Sequence, residues 1–97
     1  MHNKELKDRF IDSRARDKKT RDRLKSLLYA VGRFEDEWGA DICTRSVDEI
    51  KPVIAKVIGV RNYTHTTDLS ILRRYAHWCI ENDVPGATDS LLKIKDV

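Results

Sequence analysis

The stretch from Leu24 to Trp38 constrains the fold most tightly. Leu24, Leu27, Leu28, Val31, Phe34 and Trp38 recur at i, i+3, i+4 and i+7, which is the spacing of a helix with one buried stripe. A second long run, Tyr63 to Cys79, puts Leu69, Leu72, Tyr75, Ala76 and Cys79 on one side. No segment alternates with period two over a useful length. Ninety-seven residues support one small core. The expected architecture is therefore all-α, an orthogonal or bundled domain of four helices.

Local signals place the boundaries. A first helix is expected from about Asn3 to Ser13, with Leu6, Phe10 and Ile11 as its apolar stripe. The second is expected from Thr20 to Trp38, capped by Thr20 and closed by Gly39. Gly32 lies inside it at a cost of about 1 kcal/mol against Ala, which points to close approach of another element or to weak helix packing there. Ser46-Val47-Asp48-Glu49 is a capping box for the third helix. Pro52 predicts a first turn over Val47–Ile50 and a fresh start near the proline. Ile50, Val53, Ile54, Val57 and Ile58 form the third apolar face, and Gly59 stops it. The fourth helix is expected from Thr64 to Asn82, ending before Pro85-Gly86. Residues 1–85 read as the domain, and 86–97 as a short fifth helix or the start of a linker.

Charge is unevenly distributed. Residues 1–33 hold eleven Lys/Arg against five Asp/Glu, a local charge of +6. Residues 34–58 carry −3, and 59–97 are neutral. A basic N-terminal third is the electrostatic footprint expected for phosphate. The acidic run Glu35-Asp36-Glu37 reads as a solvated face.

Other chemistries lack their residues. His2, His65 and His77 have no metal-ligand spacing with one another or with Cys43 and Cys79. There is no Gly-rich phosphate loop, nucleophile elbow or zinc-protease motif. The expectation is no catalytic residue, no metal and no cofactor. No apolar run approaches the length that spans a bilayer, and the opening Met1-His2-Asn3-Lys4-Glu5 is too polar for a signal peptide. Free thiols in a reducing cytoplasm follow.

The candidate binding surface lies on two helices. Lys18 and Lys19 precede the second helix, Arg21 sits at its margin, and Asp22, Lys25, Ser26, Tyr29 and Arg33 lie opposite its apolar stripe. The matching side of the fourth helix carries Thr66, Thr67, Ser70, Arg74 and His77, approached by Arg61, Asn62, Tyr63 and Thr64. Hydroxyls and arginines at a helix start suit phosphate oxygens. The same residues also fit ordinary caps and a soluble surface. Tyr75 and Trp78 fall where the fourth helix should meet its neighbours and read as core or core edge.

The order of these segments resembles the SAM-like core-binding domain of phage integrases, the tyrosine recombinase family. The residues that carry the resemblance are Thr64, Leu69, Leu72, Tyr75 and Trp78 in the fourth helix. Thr20, Leu24, Leu28, Val31 and Phe34 carry it in the second, and Ser46 to Ile50 in the third. The resemblance covers about Asn3 to Pro85. It implies a domain that clamps double-stranded DNA at a recombination site for DNA integration, with the second and fourth helices on the DNA. The implied contact residues are Arg21 and Lys25 on the second helix, and Arg61, Thr64, Thr66, Thr67, Ser70 and Arg74 at the fourth. The first helix would meet other recombinase protomers of the parent protein, while the isolated domain would be monomeric. None of Tyr29, Tyr63 or Tyr75 sits in the family's nucleophile motif, so the chain is expected not to be an enzyme. It reads as an excised domain or a truncated gene product. The alternative is a helical protein-interaction module with no nucleic-acid role, its contact carried by an apolar patch on the first helix or the tail.

Overall fold

Side-chain caps and glycine stops set the helix ends. The computed structural model describes residues 1–95 and contains α1 (Lys4–Arg14), α2 (Lys18–Trp38), α3 (Val47–Gly59) and α4 (His65–Glu81). Two 3₁₀ turns, Ile42–Thr44 and Ser90–Lys93, complete the order, and no strand occurs among the described residues. The all-α, four-helix expectation holds.

The boundaries differ from the sequence reading in instructive ways. Asp17, not Thr20, caps α2: its carboxylate accepts from the Thr20 N–H at 2.7 Å, so the helix begins two residues early. Gly39 closes α2 in the left-handed region at φ 70°, as its position predicts. The Ser46/Glu49 capping box forms. Pro52 does not divide α3, which runs unbroken from Val47 to Gly59. A proline there removes only the bond to the Asp48 carbonyl, and both residues are exposed, so water can replace the lost donor. Gly32 has the expected close neighbour, since an added Cβ would stand 2.9 Å from Met1 Cγ.

The helices close around Leu27, Leu28, Val31, Ile42, Ile50, Ile54, Leu72 and Tyr75, all fully buried. Phe10 brings α1 edge-on to Tyr75 and Trp78, with ring centroids 5.4 and 5.8 Å away. Both aromatics of α4 are thus core or core edge. Cys43 and Cys79 are free, buried thiols. The segment after Pro85 also enters the core. Leu91 and Ile94 are buried, the Thr88 N–H donates to the Cys43 carbonyl at 2.8 Å, and Arg73 donates to the Ile94 carbonyl. The final stretch, residues 96–97, lies outside the described residues.

A cluster of charged groups, Lys7 with Glu35 and Asp41, lies inside the core. Lys7 is fully buried, with its Nζ 2.8 Å from a Glu35 oxygen and 2.8 Å from Asp41 Oδ2. Glu35 therefore departs from the solvated face expected of Glu35-Asp36-Glu37. It falls four residues after Val31, on the inner side of α2, where it also accepts from the Ile42 N–H at 2.8 Å. Tyr75 donates its hydroxyl to Asp41 at 2.7 Å. Burial raises the Glu35 carboxyl above its usual range, against the pull of Lys7. Burial works the same way on Asp41, but Lys7, the Cys43 N–H and the Tyr75 hydroxyl outweigh it and hold that carboxyl low. Lys7→Met would leave two buried carboxylates without their cation. It should cost about 3–5 kcal/mol of stability, read as a lower midpoint in urea denaturation.

Candidate nucleic-acid interface

The antiparallel pairing of α1 and α2 decides where the basic residues fall. Lys7 meets Glu35, Asp8 accepts from the Tyr29 hydroxyl at 3.1 Å, and Asp12 pairs with Arg21. The C-terminus of α1 therefore lies beside the N-terminus of α2. The first half of α4 packs against the same end, joined through Arg23 and Asp68.

A cleft of about 520 Å³ opens at this end, lined by Arg14, Lys19, Thr20, Arg23, Leu24, Tyr63, Thr67, Ile71 and Arg74. Four cations from three helices converge on it, and no lining residue is acidic. Leu24 and Ile71 form an apolar floor. Helical spacing explains the set: Thr67, Ile71 and Arg74 share a stripe of α4, as Lys19, Thr20, Arg23 and Leu24 share one of α2.

The residues singled out from sequence divide into three groups. Lys19, Thr67 and Arg74 line the cleft. Lys18, Thr64 and Thr66 are exposed and Ser70 is half-buried, and none of the four lines it. Arg21 and Lys25 lie instead in a crevice between α1 and α2 that they share with Lys4, Asp8 and Asp12. There Arg21 pairs with Asp12, and Lys25 stands 5.5 Å from the Tyr29 ring.

Arg61 has a different task. Its Nε donates to Asp68 Oδ2 at 2.8 Å, its Nη1 to Ser26, and its Nη2 to the Arg23 carbonyl at 3.5 Å. The side chain is only 8% exposed. It reaches beneath the surface, not outward to solvent.

Arg14, Arg23 and Asp68 carry no label in the sequence reading. Arg23 follows Lys19 by four residues, a same-face spacing that could have marked it. Asp68 shows no such signal, since its role depends on two arginines from other segments. Among the described residues no group of His, Cys, Asp or Glu could hold a metal ion. His77 pairs with Glu81 at 2.8 Å on an open face.

Fold and cleft together define a small all-α domain with a basic recess at one end. The chain belongs to the family described as MrpR, N-terminal core-binding domain, which it matches over residues 1–81; MrpR is a tyrosine recombinase-type protein. The matched region is an N-terminal core-binding domain. No curated protein and no solved structure matches the chain. No helix among the described residues is long and apolar enough to cross a membrane.

The cleft cations fall into free and engaged classes. Lys19→Gln and Arg74→Gln remove exposed side chains that make no ion pair among the described residues and should change stability by less than about 0.5 kcal/mol. Arg61→Ala takes one of two partners from the buried Asp68 and should cost about 3 kcal/mol. Thermal denaturation of the three variants checks the contrast.

Proposed function

We propose that this domain binds duplex DNA through the cleft and serves as the non-catalytic half of a recombinase-type clamp. The observation that carries the reading is the convergence of Arg14, Lys19, Arg23 and Arg74 on one recess whose described lining residues include no carboxylate. Phosphate attracts cations and releases counterions when they bind, so clustered bases at a concave surface supply affinity without reading sequence. The Thr67 hydroxyl is a neutral donor at the same place, with Lys18, Thr64, Thr66 and Ser70 as flanking contacts. Arg21 and Lys25 take a smaller part, because acidic residues of α1 share their crevice. Membership of a core-binding family of recombinase-type proteins supports a DNA-binding role in general. Clamping at a recombination site, and association with other protomers of the parent protein, follow from that role.

The competing role as a protein-interaction module needs an apolar patch on α1 or the tail. Phe10, Ile11, Leu91 and Ile94 are buried and Leu6 and Leu92 half-buried, which leaves little apolar surface for such a patch among the described residues. Among the described residues the exposed large apolar side chains are Val60 and Tyr63 in the α3–α4 loop and Ile80 on α4.

Fluorescence anisotropy with a short labelled duplex tests the proposal. The log–log plot of affinity against salt should fall by about 0.9 for each phosphate neutralised. Lys19→Gln and Arg74→Gln should each weaken binding and reduce the slope by about 1. Arg21→Gln and Lys25→Gln should have smaller effects. A slope near zero, or equal losses at all four positions, contradicts the proposal.

A further inference from the structure

We infer that Asp68 is a positioning residue for the cleft: its buried carboxylate fixes the Arg23 guanidinium and the Tyr63 ring in the places from which they face a ligand. The inference rests on the DNA-binding reading and names a residue that never touches the DNA.

Asp68 lies in the first turn of α4 and is fully buried. One oxygen takes the Arg61 Nε at 2.8 Å; the other takes the Arg23 Nη2 at 3.2 Å and Nε at 3.4 Å. Two guanidinium groups thus share one carboxylate. Each stands 4.6 Å from the Tyr63 ring, which is 41% exposed. Arg23 also donates to the Thr64 carbonyl at 3.3 Å, where α4 begins. Arg61 bonds back to Ser26 and to the Arg23 carbonyl on α2. These bonds join α2, the α3–α4 loop and α4 at the cleft wall.

An arginine on a helix surface normally samples many rotamers, and ordering it on binding weakens affinity. Here that ordering is complete before a ligand arrives. Arg23 keeps partial exposure while its fork is held by Asp68 and Thr64. Arg61, nearly buried, acts from behind. The planar guanidinium suits this task because one group can satisfy a carboxylate, a hydroxyl and a carbonyl at once.

Side-chain positioning and net charge act on duplex affinity with opposite signs. Asp68→Asn removes a negative charge beside a cationic cleft, so net charge alone predicts tighter duplex binding and a steeper salt dependence. Loss of positioning predicts weaker binding by about three- to ten-fold, the effect of ordering freed side chains on binding. The measurement is anisotropy with the full 97-residue chain and a short duplex, well below each variant's Tm, with circular dichroism to establish the folded fraction. A purely structural residue would lower Tm and leave the affinity of the folded fraction unchanged. Arg61→Lys is the second variant, because it keeps the charge but loses the fork. It should weaken binding similarly with the salt slope unchanged, and it decides the matter if Asp68→Asn does not fold. Tighter or unaltered binding by the folded variant overturns the role of Asp68 while leaving the DNA reading intact. If the wild-type chain fails to bind duplex at low salt, the DNA reading fails and this inference falls with it.

Discussion

The Lys7 ammonium group holds this bundle in register. It sits among Leu, Ile, Val and aromatic rings, and it reaches the buried carboxylates of both Glu35 and Asp41. Through them it joins α1 to the end of α2 and to the 3₁₀ turn that follows. The Tyr75 hydroxyl extends the network to α4 by bonding the same Asp41 oxygen. Such a cluster contributes geometry more than net energy, because desolvating three charges offsets much of their attraction. Its consequence is positional. Apolar side chains would tolerate α1 sliding along α2, but a buried ammonium has few places where both carboxylates can reach it. The antiparallel register set at Lys7 carries forward to Arg14, which arrives beside Lys19 at the mouth of the cleft.

The opposite end of α2 uses the same chemistry with the signs reversed. There one buried carboxylate, Asp68, serves two guanidinium groups. The two nodes differ in exposure. Lys7 and its partners are sealed inside, whereas Arg23 remains partly open to solvent. A fixed, partly hydrated guanidinium beside Arg14, Lys19 and Arg74 can meet a phosphate without first being ordered. Fold and function thus connect through two ion clusters, one setting helix register and one setting side-chain direction.

Much of the fold was legible in the sequence because the apolar stripes were long and punctuated. Leu24 to Trp38 and Leu69 to Cys79 admit only helices, and the Ser46/Glu49 box and Gly39 stop mark their ends by local chemistry. The surface was less legible because its residues depend on distant partners. Arg21 and Lys25 look like free cations along α2, yet the register of α1 puts Asp8 and Asp12 against them. Glu35 looks solvated within its acidic run, yet Lys7 draws it inside. Arg61 looks like an approach-loop contact, yet Asp68 and Ser26 hold it beneath the surface. Pro52 misled for a local reason: solvent relieves the bond that it removes. The segment after Pro85 is too short to show periodicity, although Leu91 and Ile94 complete the core.

The central claim is that the cleft formed by α1, α2 and α4 is the DNA-facing surface. An amide NMR titration of the labelled chain with a short duplex, at low salt and again near 0.2 M, tests it most directly. The account predicts shifts concentrated on Arg14, on Lys19 to Leu24 and on Tyr63 to Arg74, fading as salt rises. An unchanged spectrum at low salt, or shifts centred on α3 or on the Asp8–Asp12 side of α1, would contradict it.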